Sequence, residues 1–316
     1  MLIASLLLSI TTPALAAPVD WMVAQGAANC SATDVDFSDA RHGFASCAFS
    51  NAMSTSDGGL TWNVFPTGLQ QSLVFAHANS TTELYLARLG LYRSINGGST
   101  WTEVGALSKN LGSVFDVHFD GVRRVAVQGG NLLHSNDSGN NWQVGFSAQE
   151  NVNFDELHFP TATTGFASGG ITYELGSYGS VARTQDGGTT WTLLSFPHGQ
   201  ITAADFSSAS VGVLATLTSQ VYVTNNGGDS WQLLTALPDA AVLTDLAMRD
   251  ASHWYATSVS GCIYETFNAG SSWVASICDP SSRTLAAITL KGGAAVAAGN
   301  SGLVYFENRI FRDGFN

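Results

Sequence analysis

A short phrase occurs six times in the sequence and constrains the fold more than any other feature. Each copy has Thr or Ser, then Asp or Asn two residues later, Gly after two more, and Trp three residues beyond the Gly. The Asp or Asn positions are Asp57, Asn96, Asp137, Asp186, Asn226 and Asn268. The closing residues are Trp62, Trp101, Trp142, Trp191, Trp231 and Trp273, at steps of 39, 41, 49, 40 and 42 residues. A period of this length is typical of the blades of a β-propeller.

The segments around each copy predict four short strands per repeat, and the two chain ends predict a further blade. Alternating apolar residues, as in 114–119, and Gly-rich turns indicate strands, and the fourth strand of a repeat is expected to begin at the closing Trp. Residues 21–24 resemble a fourth strand without its phrase, whereas 285–306 supply three strands and no phrase. Joining the two ends in one sheet would cover the open edges. We therefore predict an all-β protein, a seven-bladed propeller of four-stranded antiparallel blades closed by N- and C-terminal strands in one blade.

The N-terminal sequence and the charge limit where the protein acts and what it binds. Residues 1–16 resemble a secretory signal peptide, with an apolar run followed by Ala14-Leu15-Ala16. We predict a single propeller domain over 17–316, exported to a periplasmic or extracellular space as a monomer. The net charge of −12, with only 12 Lys and Arg, argues against nucleic acid and anionic membrane surfaces as partners.

Four cysteines suit an oxidising compartment, and their positions suggest a pairing. Cys262 and Cys278 lie 8 residues on either side of Gly270 in the sixth phrase, so a hairpin brings them nearly opposite. Cys30 and Cys47 flank a second predicted hairpin. Of the three connectivities, Cys30–Cys47 with Cys262–Cys278 needs only local geometry. A zinc site is the alternative, although no Cys-x-x-Cys spacing supports it.

The six phrases match the Asp-box, the repeat of bacterial neuraminidase type. This resemblance implies that each phrase forms the structural turn between the two outer strands of a blade. The residue types agree, because Asp and Asn oxygens accept nearby backbone N–H groups and Gly permits positive φ. Asn96, Asn226 and Asn268 lack the negative charge that a calcium site would favour. We therefore expect no metal site in these turns.

The spacing and style of the phrases, as in Thr55 to Trp62 and Thr184 to Trp191, further resemble the photosystem II assembly and stability factor family. The resemblance implies an exported seven-bladed propeller that acts as a chaperone-like scaffold for a membrane complex. The arginine-rich docking surface of that family cannot be matched to the arginines of this chain. We predict a non-catalytic protein without a cofactor, whose partners are proteins such as those of an envelope or membrane complex.

Asp-boxes also occur in sialidases, so a sialidase-like glycoside hydrolase acting on extracellular glycans is the alternative function. Such an enzyme would need three convergent arginines to bind the carboxylate of its substrate, beside a Tyr–Glu nucleophile pair. Arg93 and Arg183 lie beside the phrases and Arg123-Arg124 near another turn, which does not favour convergence. The Asp-box xyloglucan hydrolases place an Asp pair between two propellers, whereas this chain supplies one. We therefore predict no catalytic residues.

Polar side chains recur on the predicted innermost strands, which line the central channel of a propeller. Residues two apart point to one side of a strand, which applies to the pair Asp34 and Asp36 and to the candidate binding residues Asp116, His118, Glu156 and His158. Asp205 and Asp245 occupy related positions. One interpretation is a water-filled channel with partly solvated acids. The other is a site for a cation or a basic peptide, in which the acids titrate together.

The fourth repeat is longer than the others and contains the second candidate site. The extra segment, 169–179, lies between the second and third strands of the repeat. Long loops on a rigid scaffold often carry function, so Tyr173, Glu174 and Tyr178 are candidates for a recognition rim. The alternative is a tolerated surface insertion.

Overall fold

Hydrogen bonding between strands divides the chain into seven four-stranded antiparallel sheets, as the computed structural model shows. The structure describes residues 20–308 except 106, 108–111, 148, 150, 151, 174, 175, 291 and 292. Each sheet is one blade of a closed ring, and its strands are called a to d from the channel outward. The predicted seven-bladed propeller is therefore confirmed.

The strands are numbered along the chain, beginning with β1 at Trp21–Val23. Blade 1 contains β2 (Ala32–Phe37), β3 (Gly43–Cys47), β4 (Asn51–Thr55) and β5 (Asn63–Pro66). Blade 2 contains β6 (Phe75–Ala78), β7 (Leu84–Ala87), β8 (Leu91–Ser94) and β9 (Thr102–Glu103). Blade 3 contains β10 (Val114–Asp120), β11 (Arg123–Gln128), β12 (Asn131–Ser135) and β13 (Gln143–Phe146).

Blade 4 contains β14 (Glu156–His158), β15 (Gly165–Tyr173), β16 (Gly176–Thr184) and β17 (Thr192–Leu194). Blade 5 contains β18 (Ile201–Phe206), β19 (Gly212–Thr216), β20 (Val221–Thr224) and β21 (Gln232–Leu233). Blade 6 contains β22 (Leu243–Met248), β23 (Trp254–Ser258), β24 (Cys262–Thr266) and β25 (Val274–Cys278). Blade 7 contains β26 (Leu285–Thr289), β27 (Val296–Gly299), β28 (Val304–Glu307) and, from the other end of the chain, β1.

The two faces of the ring carry different connections. The face with the a–b connections and the six phrases, which join strands c and d, is called the turn face. The face with the b–c and d–a connections is called the mouth face. Strands a begin at the mouth face and run toward the turn face, so the first residues of each strand a lie near the mouth face.

The turns formed by the phrases are closed by their own side chains. In the first turn, Thr55 Oγ1 donates to Asp57 Oδ1 (2.7 Å) and accepts the N–H of Gly59 (3.1 Å), while Asp57 Oδ1 accepts the N–H of Thr61 (3.0 Å). Asp57 Oδ2 accepts the Thr61 hydroxyl (2.6 Å). Where the turn has Asn, the amide nitrogen donates to the equivalent hydroxyl instead, as Asn96 does to Thr100 (2.9 Å). Asp and Asn are therefore interchangeable here without any cation.

The hydrophobic core lies between neighbouring blades. Phe37 and Trp62 of blade 1 meet edge to face (ring centroids 6.0 Å apart) and pack with Val296 and Phe306 of blade 7. The turn glycines allow this close approach. Gly188 has φ +90°, and a Cβ at this position would collide with Val125 of blade 3. The short strands b and c are buried on both sides, which explains their nearly continuous apolar runs.

Blade 7 closes the ring as the sequence predicts, by pairing of the two chain ends. Trp21 lies opposite Glu307, and Val23 lies opposite Tyr305. The Trp21 indole N–H donates to the buried Glu265 carboxylate of blade 6 (3.0 Å). In the same interface, Arg249 of blade 6 forms an ion pair with the buried Glu307 of blade 7. Charged and polar contacts thus reinforce the blade that has no turn phrase.

The disulfide predictions are confirmed, and both bonds lie at the mouth face. Cys262 and Cys278 are directly paired across β24 and β25, with a Cα–Cα distance of 3.9 Å. Cys30 bonds to Cys47 at the end of β3 and so ties the segment after β1 to blade 1. Across the described residues, no helix is long and apolar enough to span a membrane.

Two details differ from the sequence-based expectations. Strand d begins one residue after the closing Trp, at Asn63 in blade 1 and Thr192 in blade 4, because the Trp belongs to the turn. The insertion in the fourth repeat is a continuation of two strands rather than a loop. Gly169 pairs with Ser180 and Tyr173 with Gly176, so β15 and β16 extend beyond the blade as a hairpin.

Candidate functional site

Most of the acids of the innermost strands join neighbouring blades. Asp116 on β10 accepts the N–H of Val117 through Oδ1 (2.6 Å) and the N–H of Leu157, in the next blade, through Oδ2 (2.7 Å). Four further aspartates accept a backbone N–H of a following blade through Oδ2. The pairs are Asp34 with Ala76, Asp36 with Ala78, Asp205 with Met248 and Asp245 with Ile288. We call these five aspartates the clamp. This bridging role is not apparent from the sequence.

His118 is also a packing residue. Its ring stacks on Phe159 of the next blade, with ring centroids 4.1 Å apart. His77 stacks on Phe119 in the same way at 4.3 Å. Burial lowers the pKa of His118 to about 4, so the ring is neutral at physiological pH. Of the four channel candidates from the sequence, His118 alone does not line the cavity at the mouth face.

The channel widens at the mouth face into a cavity of about 290 Å³. Its acidic lining residues, contributed by four different strands or their leading segments, are Asp34, Asp116, Asp155, Glu156 and Asp245. His158 also lines it, with Nε2 3.5 Å from Glu156 Oε2 and Nδ1 3.6 Å from Asp205 Oδ1. The structure therefore brings Asp116, Glu156 and His158 together, as the sequence predicted.

Burial and mutual repulsion raise the pKa of the four aspartates that line the cavity. Burial, with the nearby charges of Asp116 and Asp36, raises the pKa of Asp34 to about 7. Burial also raises the pKa of Asp116 to about 6 and, with the Glu156 charge, that of Asp155 to about 6. The pKa of Asp245 is raised by burial and by Glu156. These shifts show that burial, together with repulsion between neighbouring carboxylates, disfavours the charged form of these aspartates.

His158 is the one basic side chain among the described residues that line this cavity. Burial opposes its charged form, but the Asp205 and Glu156 carboxylates outweigh burial and raise its pKa to about 10. The ring therefore carries a positive charge at neutral pH and offsets part of the surrounding negative charge. One imidazolium among five carboxyl groups leaves the cavity acidic.

The hairpin of β15 and β16 stands at the edge of the same cavity. Asp155 accepts a hydrogen bond from the backbone of Gly170, at the base of the hairpin, and from Asn153 Nδ2 (2.9 Å). Tyr178 on the hairpin is 41% exposed. The Tyr173 side chain and Glu174 lie outside the described residues. Two candidate sites that the sequence treats separately, the channel and the insertion, thus adjoin on one face.

Exposed apolar side chains also occur on the mouth face, at positions that the sequence did not single out. Phe49, Leu89, Leu217 and Val259 each lie on a b–c connection and are 84%, 55%, 44% and 45% exposed. With Tyr178 they place an exposed apolar or aromatic side chain at this connection in five of the seven blades. The signal in the sequence is a single apolar residue between strands b and c, where a turn needs only polar or Gly residues.

Arginines do not converge among the described residues. Arg93 pairs with Glu83 (2.6 Å) in blade 2, Arg183 with Asp229 (3.0 Å) between blades 4 and 5, and Arg283 with Asp279 (2.8 Å) after blade 6. Each is therefore engaged within its own part of the ring. The carboxylate-binding triad that a sialidase requires is not formed by this part of the chain. No group of three or more His, Cys, Asp or Glu side chains within it is arranged to hold a metal ion.

No protein-family model matches the sequence, and no curated protein matches it. Solved structures do resemble it. YCF48 bound to a D1 peptide superposes with a TM-score of 0.72 at 18% identity, covering 91% of this chain and 96% of that chain. U3-55K superposes with a TM-score of 0.71 at 14% identity, covering 92% and 99%.

An enzyme is also among the similar structures. The GH74 xyloglucanase from Xanthomonas campestris has a TM-score of 0.61 at 13% identity, covering 83% of this chain and 56% of that chain. More than two fifths of that enzyme therefore has no counterpart in this chain. At these identities, the three comparisons show a shared propeller fold.

Proposed function

We propose that this protein is a non-catalytic binding protein that assists the assembly or stability of a protein complex, as photosystem II assembly factors do. The observation that carries the proposal is the mouth face, where exposed apolar side chains surround an acidic cavity. Exposed apolar side chains that are rimmed by polar groups are a common feature of protein interaction sites. The resemblance to YCF48 bound to a peptide supports a protein as the partner.

The proposal includes export. Residues 1–16 have the character of a signal peptide, and the domain then covers 17–316. Two disulfides, Cys30–Cys47 and Cys262–Cys278, suit a periplasmic or extracellular compartment because cytosolic reductants would keep such thiols reduced. The partner complex is therefore expected at the cell envelope or outside it.

A glycoside hydrolase is the second candidate function, favoured by the similarity to the GH74 xyloglucanase. In this chain the cavity acids Asp34, Asp116 and Asp245 are hydrogen-bonded to backbone N–H groups of the next blade. That arrangement suits a structural role better than proton transfer to a substrate. We therefore place binding before hydrolysis.

Site-specific photo-cross-linking tests the proposal in the producing cell. A photoreactive amino acid at Leu217, on the mouth face, should give a discrete cross-linked protein in the envelope fraction. The matched control is Leu233, 54% exposed on the outer strand β21. Equal cross-linking at both positions, or none at Leu217, would contradict a binding role for the mouth face. Release of reducing sugars from xyloglucan by the purified protein would favour the hydrolase.

A further inference from the structure

The exposed apolar side chains of the mouth face form two pairs, each held by a glutamine. In blades 1 and 2, Ser50 Oγ donates to the carbonyl of Gln71 (3.0 Å), and Gln71 Oε1 accepts the N–H of Leu89 (3.1 Å). Phe49 directly precedes Ser50. Gln71 thus holds the turn with Phe49 beside the turn with Leu89.

The second pair lies in blades 4 and 5. The N–H of Gln200 donates to Ser177 Oγ (2.9 Å), and the carbonyl of Gln200 accepts the N–H of Leu217 (2.9 Å). Tyr178 directly follows Ser177. In a ring of seven blades, blades 1 and 2 lie nearly opposite blades 4 and 5, and the acidic cavity lies between the two pairs.

The backbone at Phe49 gives independent support for a binding surface. Phe49 has φ 65° and ψ 38°, in the left-handed region, where the Cβ atom of a bulky residue meets steric repulsion. Its side chain is nevertheless 84% exposed, so no burial in this chain offsets the strain. An exposed aromatic ring at a strained backbone position is therefore a candidate contact for a ligand.

We propose that the mouth face binds an extended segment of a partner protein in which a Lys or Arg side chain has apolar residues on both sides. This rests on the proposed function and names the chemistry of its partner. The apolar residues contact the Phe49–Leu89 pair and the Tyr178–Leu217 pair, and the basic side chain between them enters the cavity.

Charge complementarity selects the basic residue. The cavity holds five carboxyl groups against the single charge of His158, in a protein of net charge −12. Glu156 is the acid best placed to meet the ligand, because its side chain is 31% exposed and does not belong to the clamp. Arg88, beside Leu89, lies on the rim and not among the residues that line the cavity. A cation in such a cavity is attracted more strongly by the surrounding carboxylates than a cation at an open surface, because less water screens the charges.

Selection from a random nine-residue peptide library displayed on phage tests the inference with the whole chain as bait. We expect enriched peptides to carry Lys or Arg flanked by apolar residues. Fluorescence polarisation with the enriched peptides should show binding about tenfold weaker for Glu156→Gln, and for Phe49→Ser or Leu217→Ser. Leu233→Ser, an exposed leucine on the outer edge, should bind as the unmodified protein does. Unchanged melting temperatures for all four variants would exclude misfolding as the cause.

Three outcomes would overturn the inference. Enriched peptides without a basic residue, or with affinity unaffected by Glu156→Gln, would show that the cavity does not select a cation. Equal losses for Leu217→Ser and Leu233→Ser would place the binding surface elsewhere. No enrichment would also overturn it, whereas the cross-linking experiment at Leu217 judges the proposed function separately, with a folded partner in its own compartment.

Discussion

The turn face and the mouth face of the propeller are built from the same seven blades but differ in how their polar groups are arranged. On the turn face, six turns share one hydrogen-bonding pattern, in which each Asp or Asn serves the turn that contains it. On the mouth face, connections differ from blade to blade and expose apolar side chains such as Phe49. The comparison indicates that the polar groups of the turn face stabilise the ring, whereas the exposed side chains of the mouth face are available for the binding role proposed above.

Aspartates on the two faces titrate in opposite directions. On the turn face, hydrogen bonds from Asn141 and Ser135 lower the pKa of Asp137 to about 2. At the mouth face, burial raises the pKa of Asp34 to about 7. The same side chain is therefore stabilised as an anion on one face and destabilised as an anion on the other. A face that holds destabilised anions is suited to bind a cation.

Both faces depend on ring closure, so removal of the closure should have the largest effect. Deleting residues 285–316 would remove three strands of blade 7 and leave β1 without its partner β28. We expect the deletion to abolish cooperative unfolding in calorimetry. A sharp transition near that of the full chain would contradict the view that the ring is one cooperative unit.

Next in size is the loss of a turn-face tryptophan. Trp191 is 9% exposed and its indole N–H donates to the carbonyl of Gly188 (3.0 Å). Trp191→Ala should reduce the free energy of unfolding by about 3–5 kcal/mol because it leaves a cavity. Chemical denaturation measures the change. The control is Leu193→Ala, an exposed position two residues away, for which a comparable loss would show that the cavity is not the cause.

Within the mouth, substitutions of a clamp aspartate and of Glu156, which is outside the clamp, should differ in their effect on stability. Asp116→Ala leaves the N–H of Leu157 without its acceptor, which should cost about 1–3 kcal/mol of stability. Glu156→Gln keeps the size of the side chain and breaks no bond between blades, but it weakens the pairing with His158, so we expect a smaller loss of stability than for Asp116→Ala. Denaturation of the two variants side by side tests this assignment. Equal effects would mean that Asp116 does not bridge blades 3 and 4 in solution.

The mouth acids should make the protein more stable at mildly acidic pH. The folded pKa of Asp34 is about 7 and that of Asp116 about 6, against a usual value of 3.8. The folded state therefore binds more protons in this interval, and stability falls as pH rises from about 4 to 7. The charged or titratable groups that face these two aspartates are Asp155, Glu156, Asp205, Asp245 and His158, and the raised pKa of His158 extends the fall above pH 7.

We expect the melting temperature at pH 8 to be lower than at pH 5 by at least about 5 °C, because the shift of Asp34 alone corresponds to about 2–3 kcal/mol over this range. Differential scanning calorimetry across this range measures it. Below pH 4 the turn-face acids, such as Asp137, should lose their stabilising charge and reverse the trend. A melting temperature that rises steadily from pH 5 to pH 8 would contradict the destabilised state of the mouth acids.

The smallest expected effect on stability is at the hairpin. Changing Tyr173 and Tyr178 together to Ala should alter the free energy of unfolding by less than about 0.5 kcal/mol, because Tyr178 is exposed. Partner binding should nevertheless weaken by about thirtyfold if the tyrosines are anchors, which corresponds to about 2 kcal/mol. Cross-linking yield at Leu217 in this variant provides the measurement. Undiminished yield would make the hairpin a tolerated insertion.

The ring could be predicted from the sequence because the phrases that mark its blades recur at a regular spacing. The spacing of the phrases gave the blades, and Trp21 at one blade length before Trp62 gave the closure. The mouth was predicted less completely. Asp116, Glu156 and His158 were found as polar residues on innermost strands, but strand alternation does not reveal which amide in the next blade a carboxylate reaches. Phe49 and Leu89 were missed because exposure on a connection depends on tertiary packing, which a local pattern does not encode.

The pairing of β1 with β28 also determines when the protein can fold. The first strand has no partner until almost the whole chain has been made, and the Trp21–Glu265 hydrogen bond spans 244 residues. Contacts this distant in sequence form late and slow the search for the native state. The growing chain thus remains open at its first strand throughout synthesis. For the export proposed above, this delay would let the chain pass through a secretion channel before its ring closes.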